Sequence, residues 1–146
     1  MVFAGLRVSE VANLELSHLD LANRLLTIQQ GKGGKSRLVG INARLKELIE
    51  GYLGIRPSGA SPRLLLSAKG TPLTRDGIVR RVRRLANRAG VEITCHGLRR
   101  TFATLNAEAG RSVNMIQVAL GHSSLATTQK YLLTDQRTTA RAMTDW

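Results

Sequence analysis

Two residues three positions apart, His96 and Arg99, stand in the stretch Cys95-His96-Gly97-Leu98-Arg99-Arg100-Thr101-Phe102-Ala103-Thr104. Leu98, Phe102 and Leu105 recur at helical spacing, so the stretch is expected to open a helix. Positions i and i+3 on a helix are neighbours, and the imidazole and the guanidinium can face one site together. The pair suits a phosphate ester: the planar fork binds two oxygens while the ring moves a proton. Arg7 is a second fork, directly after a Gly5-Leu6 turn and at the start of another helix. Two permanently charged forks can clamp the non-bridging oxygens of one phosphodiester and stabilise charge in a pentacoordinate transition state. Tyr131 lies between polar Thr127-Thr128-Gln129-Lys130 and Leu132-Leu133, with little apolar stripe on its own face. That setting weighs against a core aromatic. The other tyrosine, Tyr52, ends an amphipathic helix and reads as structural.

Other chemistries fit less well. Cys95 and His96 are adjacent, and adjacent side chains rarely face each other, so a thiol nucleophile is a poor reading. Three histidines and one cysteine without ligand spacing leave no expected metal site. His18 falls on a surface turn and is expected to face solvent. Glu10 has two equally good readings: it orients basic groups of the site, or it serves the start of its helix.

The elements that position these residues follow from periodicity and caps. Val8 to Leu16 is amphipathic, and Asp20 with Asn23 marks a turn. Arg24–Gln30 and Ser36–Ile41 read as two strands joined by the glycine-rich turn Gly31-Lys32-Gly33-Gly34-Lys35, which gives a basic tip with Lys32, Lys35 and Arg37. Asn42 is a plausible N-cap for a helix from Ala43 to about Leu53. Leu64-Leu65-Leu66 is expected as a short buried strand, completing a three-stranded antiparallel sheet. Thr74 caps the next helix, which stops at Gly90 and carries the apolar stripe Ile78, Val79, Val82, Leu85, Ala86 and Ala89. The His96 helix stops at Gly110. A short helix capped by Ser112 or Asn114 ends at Gly121, and Ser123-Ser124 starts the helix of Tyr131. In the tail, Ala140, Met143 and Trp146 stand at helical spacing and fit a weak helix packing on a neighbouring molecule. The fold class expected is α+β, mostly helical with a small antiparallel sheet.

Charge narrows the function. Against 10 acidic residues stand 22 basic ones, a net +12 over 146 residues, and such a surface repels itself unless a polyanion neutralises it. The Thr74 helix carries Arg80, Arg81, Arg83, Arg84 and Arg88, of which Arg80, Arg84 and Arg88 fall on one line with no acid between them. That line is expected to contact nucleic acid phosphates rather than only solvent. No run of 18 apolar residues could span a bilayer, and no secretory signal or basic amphipathic anchor stands out. The single Cys95 cannot form an internal disulfide, and a reducing, cytoplasmic setting is the simple reading. An aromatic share of 3% against a hydrophobic share of 42% means a core built of Leu, Val, Ile and Ala.

The ordered set Gly5-Leu6-Arg7-Val8-Ser9-Glu10, the glycine-lysine hairpin, His96-Gly97-Leu98-Arg99, Leu120-Gly121-His122 and Tyr131 resembles the catalytic domain of the tyrosine recombinase (phage integrase) family. The resemblance implies a DNA breaking–rejoining fold and a tyrosine hydroxyl that attacks a DNA phosphate to form a 3′-phosphotyrosyl link. It implies Arg7 and Arg99 as the phosphate-binding arginines, His96 as general base, Lys32 as the general acid at the leaving 5′-oxygen, His122 as a hydrogen-bond donor to the phosphate and Tyr131 as nucleophile. Lys35, Arg37, Arg80, Arg81, Arg84, Arg88 and Arg100 are the expected DNA contacts. No cofactor is implied, because the phosphotyrosyl link conserves the bond energy. Double-stranded DNA is the expected partner, bound by a homotetramer. Two positions depart from the pattern: Arg100 stands where many members carry a histidine, and Gly40 where a proline is common. The chain begins almost at the first arginine, so a single catalytic domain over 1–146, truncated before it and without the family's preceding helical DNA-clamping domain, is expected. Two alternatives remain open: a type IB topoisomerase-like enzyme, and a non-catalytic DNA-binding relic or regulator. An RNA-binding basic protein would make the full motif set a coincidence.

Overall fold

The computed structural model describes residues 1–29, 36–58 and 61–121. The chain enters through Gly5, whose left-handed backbone turns it into helix α1 (Val8–Asn13). Arg7 is extended at the N-cap position, and the Glu10 carboxylate folds back to accept its backbone N–H at 2.7 Å. That bond satisfies one of the donors a helix start leaves open. A 3-10 turn over Leu16–His18 leads into β1 (Leu19–Asp20). Asp20 Oδ1 accepts from the Asn23 backbone N–H at 2.9 Å, closing the expected turn into β2 (Leu25–Ile28). β3 (Arg37–Gly40) completes an antiparallel sheet in the order β1-β2-β3, with Leu26 opposite both Leu19 and Val39.

The three-stranded sheet is thus present, but its third strand is β1 and not Leu64-Leu65-Leu66. That segment and the residue before it make isolated bridges, Glu15 with Arg63 and Leu66 with Pro72. Proline has no N–H to donate, so the second bridge cannot propagate into a ladder. Only two residues form β1, too few for an alternating pattern to announce them.

Four longer helices follow, each capped by a side chain: Asn42, Thr74 and Ser112 as the sequence offers, and Thr94 in addition. They are α2 (Ala43–Ile55, Asn42), α3 (Arg75–Arg88, Thr74), α4 (Cys95–Glu108, Thr94) and α5 (Val113–Leu120, Ser112). α2 runs two residues beyond the expected end. Tyr52 on it accepts the Leu66 backbone N–H at 3.0 Å through its hydroxyl, a structural role as expected. Leu26, Ile28, Val39 and Ile41 of the sheet region pack with Leu6, Val11, Leu14, Leu64 and Ile78 in the main core. A second cluster of Phe102, Ala103, Ile116 and Leu120 joins α4 to α5. Among the described residues no helix is long and apolar enough to cross a membrane. The Tyr131 segment and the Ala140 to Trp146 tail lie outside them.

Gly5 lies against the second cluster. Its φ is +61°, and a Cβ added there would lie 2.7 Å from Phe102 Cδ1 and 2.9 Å from Leu120 Cδ2. Gly5→Ala therefore combines left-handed strain with overpacking and is expected to cost about 2–4 kcal/mol in urea denaturation. A loss below about 1 kcal/mol would show that the cluster yields to the methyl group.

Candidate active site

Three of the expected site residues converge. Arg7 from the start of α1 and His96 and Arg99 from the first turns of α4 line one cleft of about 850 Å³. Val79, Val82 and Ala86 of α3 form an apolar wall, and Arg83 lies at the same cleft. His96 is exposed, whereas the Arg99 side chain is only 5% exposed. The helical spacing that the sequence displayed is the cause: one turn of α4 places both residues toward the cleft.

One carboxylate gathers the arginines. Glu10 Oε1 accepts from Arg7 Nη1 at 3.1 Å and from Arg37 Nη1 at 2.8 Å, and Oε2 accepts from Arg37 Nη2 at 2.9 Å. Arg99 Nη1 lies 4.0 Å from Oε2. Glu10 therefore plays both of its expected parts, orienting basic groups and serving the helix start. Burial alone would raise its carboxyl pKa. The hydrogen bond from Arg37, the Arg7 backbone N–H and the charges of both arginines outweigh that cost and hold it below the ordinary glutamate value.

The same arginines hold the end of α5. Arg37 Nε donates to Ala119 O at 2.9 Å, Arg99 Nη2 to Leu120 O at 2.7 Å and Arg7 Nη2 to Gly121 O at 3.1 Å. Arg99 Nη1 also donates to Gly5 O. The carbonyls of Ala119, Leu120 and Gly121 are the ones that a helix C-terminus leaves unpaired, and their partial negative charge favours cations. Gly121 ends the helix in the left-handed conformation, and the next residue in the chain is His122. Among the described residues three guanidinium groups thus meet one carboxylate and one helix end, and at the cleft Arg7, Arg75, Arg83 and Arg99 stand against the one acid Glu92. A phosphate diester is the anion that two forks beside an imidazole accommodate.

Arg37 itself is where the structure parts from the expectation of a DNA contact. Its side chain is 8% exposed and is spent on Glu10 and Ala119. β3 begins at Arg37, and the alternation of the strand turns this position inward toward α1 and α5. Sequence reasoning missed this role, although an arginine two positions before buried Val39 on the same strand face is a signal that could have found it. His18 is half-buried rather than solvent-facing, with Nδ1 accepting the Glu15 backbone N–H at 3.2 Å. On α3, Arg80, Arg81, Arg83, Arg84 and Arg88 are all exposed, and Asp76, the one acid of that helix, pairs with Arg75 at 3.2 Å. Arg100 is exposed on α4. Lys32, Lys35, His122 and Tyr131 lie outside the described residues. Among the described residues no group of His, Cys, Asp or Glu could hold a metal ion.

Known proteins resemble this chain in sequence and in fold. The chain is 41% identical over 131 residues to the tyrosine recombinase XerA of Thermococcus kodakarensis, a match that covers 88% of this chain and 46% of the relative. It is 40% identical over 131 residues to the tyrosine recombinase XerC of Pelobacter propionicus, covering 88% and 43%. The chain thus spans a little under half the length of these relatives. A crystal structure of XerA recombinase superposes with a TM-score of 0.91 at 32% identity, over 98% of this chain and 54% of that one. The XerH site-specific recombinase, in a post-cleavage complex on a palindromic difH substrate, gives 0.78 at 32% identity, over 99% and 43%. Its fold is accordingly that of a tyrosine recombinase catalytic domain, mostly helical with a three-stranded antiparallel sheet. The model of the phage integrase family matches residues 1–137, nearly the whole chain, and the chain belongs to that family.

Proposed function

We propose that this chain is the catalytic domain of a site-specific DNA recombinase that cuts and rejoins strands through a 3′-phosphotyrosyl intermediate. The observation that carries the reading is the excess of guanidinium charge around Glu10, bordering a cleft that also holds His96. In the proposed reaction the Tyr131 hydroxyl attacks the scissile phosphorus. The Oη–P bond forms, the P–O5′ bond breaks, the phenolic proton passes to His96, and Lys32 gives a proton to the leaving 5′-oxygen. Arg7 and Arg99 bind the non-bridging oxygens, which carry most charge in the transition state, and His122 donates a further hydrogen bond. Attack by the 5′-hydroxyl of a partner strand reverses the steps, so the phosphotyrosyl bond itself supplies the energy for rejoining.

Arg80, Arg81, Arg84 and Arg88 on exposed α3, with Arg100 and Lys35, are proposed to hold the duplex by its phosphates. Four copies on two duplexes, acting in the cytoplasm, complete the reading. The experiment is covalent trapping. The chain is mixed with a library of nicked duplexes whose arms are randomised, denatured in detergent, and searched for a DNA-linked species whose modified peptide contains Tyr131. A linked species enriched for particular arms supports the recombinase. Linkage without arm preference favours the topoisomerase-like alternative, and binding without linkage favours the non-catalytic module.

A further inference from the structure

Arg37 connects three parts of the fold with one side chain. It belongs to β3, both of its Nη atoms pair with the two oxygens of Glu10 on α1, and its Nε holds Ala119 O at the end of α5. Its guanidinium is also pressed on the Gly121 backbone. A Cβ placed at Gly121 would lie 2.8 Å from Nη1 and 2.9 Å from Cζ, so a side chain there would displace the guanidinium. A buried ion pair is a poor device for stability, because apolar residues of the same volume often do as well. What the planar fork supplies is direction: its in-plane donors fix the carboxylate and the carbonyl relative to each other.

The consequence falls on Arg7 and Arg99. Both reach toward the same carboxylate, and both hold carbonyls of the same helix end. With Arg37 in place, both Glu10 oxygens are engaged from the β3 side, and Arg7 and Arg99 are left at the cleft. Without it the carboxylate keeps, among the described residues, only the Arg7 backbone N–H and side chain as its bonded partners, so its outer oxygens can shift and draw the other two guanidiniums with them, and displacements of about 1 Å can cost a hundredfold in rate.

We propose that Arg37 is a positioning residue of the phosphate clamp: anchored on the end of α5, it acts through Glu10 to set the orientation of Arg7 and Arg99 without touching DNA. Its effect on cleavage rests on the proposed strand-cutting reaction. Its effect on the orientation of the arginines does not.

The test compares the parent chain with Arg37→Lys, Arg37→Gln, Glu10→Gln and the Arg37→Gln/Glu10→Gln double variant. Three quantities are read: retention of the randomised nicked duplexes, the rate of covalent adduct formation, and the guanidinium NMR signals of Arg7 and Arg99. Arg37→Lys keeps the charge and loses the fork. It is expected to slow adduct formation by about tenfold or more while changing duplex retention less than about twofold. Its Arg7 and Arg99 signals should shift or broaden. Because Arg37 acts through Glu10, the double variant should be no more than about twofold slower than Glu10→Gln alone. Three results would overturn the proposal: a parental rate in Arg37→Lys, weakened retention at an unchanged rate (a direct DNA contact), or multiplying losses in the double variant. If the parent forms no adduct, the recombinase reading fails and the NMR signals decide alone. Unchanged Arg7 and Arg99 signals in Arg37→Lys then overturn the positioning role, and altered ones uphold it.

Discussion

A Tyr131→Phe chain is expected to form no detectable DNA adduct, a loss of at least about a thousandfold. The substitution removes one oxygen and leaves the ring, so folding and duplex retention should change by less than about twofold. Without the hydroxyl no other group on that side chain can form a bond to phosphorus, and the proposed reaction has no first step. The proper comparison is Tyr52→Phe. The Tyr52 hydroxyl accepts the Leu66 backbone N–H at 3.0 Å, so its loss leaves that donor unpaired and is expected to cost about 1–3 kcal/mol of stability. Adduct yield from the folded Tyr52→Phe chain should equal that of the parent. Detergent gels of the trapped species decide the matter. An adduct that persists in Tyr131→Phe would sink the assignment, and one lost only in Tyr52→Phe would move it to the other tyrosine.

Glu10→Ala is expected to be the most destabilising polar substitution among the described residues. The carboxylate is 8% exposed and paired with Arg37, also 8% exposed, with Arg7 beside it and Arg99 4.0 Å away. Removing it takes the carboxylate from the buried Arg37 guanidinium, which costs about 3–5 kcal/mol. That is a large share of the total stability of an ordinary domain. The pH dependence carries a second signature. The carboxyl pKa is held below its ordinary value in the folded chain by hydrogen bonds and charges from Arg37 and Arg7, which prevail over the opposing cost of burial. A group shifted downward contributes its full stability above the unfolded pKa of about 4.3 and loses it as pH falls through the folded value. The stability gap between parent and Glu10→Ala should therefore be widest near neutrality and narrow below about pH 4. Denaturant titrations at the two pH values measure it, and a gap that is small at neutrality or independent of pH would contradict the pairing as the cause.

Much of the site was legible in the chain because its signals are local. Arg7 after Gly5-Leu6 and the pair His96 and Arg99 each lie within one helical turn, and periodicity alone assigns such residues to one face. Caps are equally local: Asn42, Thr74, Thr94 and Ser112 each accept a backbone N–H within a few residues, as their side chains dictate. The charge line on α3 was visible for the same reason, since Asp76 is the only acid on that helix.

Tertiary structure decided which distant groups meet. The partner strand of β2 was the two-residue β1, because pairing depends on which edge is free and a Pro72 bridge cannot grow into a ladder. Glu10 and Arg37 are 27 residues apart, and Arg37 and Ala119 are 82 apart. No period or motif joins such positions; only the packing of β3 against α5 does. Sequence by itself thus determined the residue types of the proposed phosphate site, the helices that carry them and the basic surface around them. The fold alone decided that Arg37 turns inward, that Glu10 collects the arginines, and that the open carbonyls of α5 are held by guanidinium forks. The physical reason is that a side chain's own turn of helix fixes its local direction, whereas its partner across the chain exists only once the core has brought the elements together.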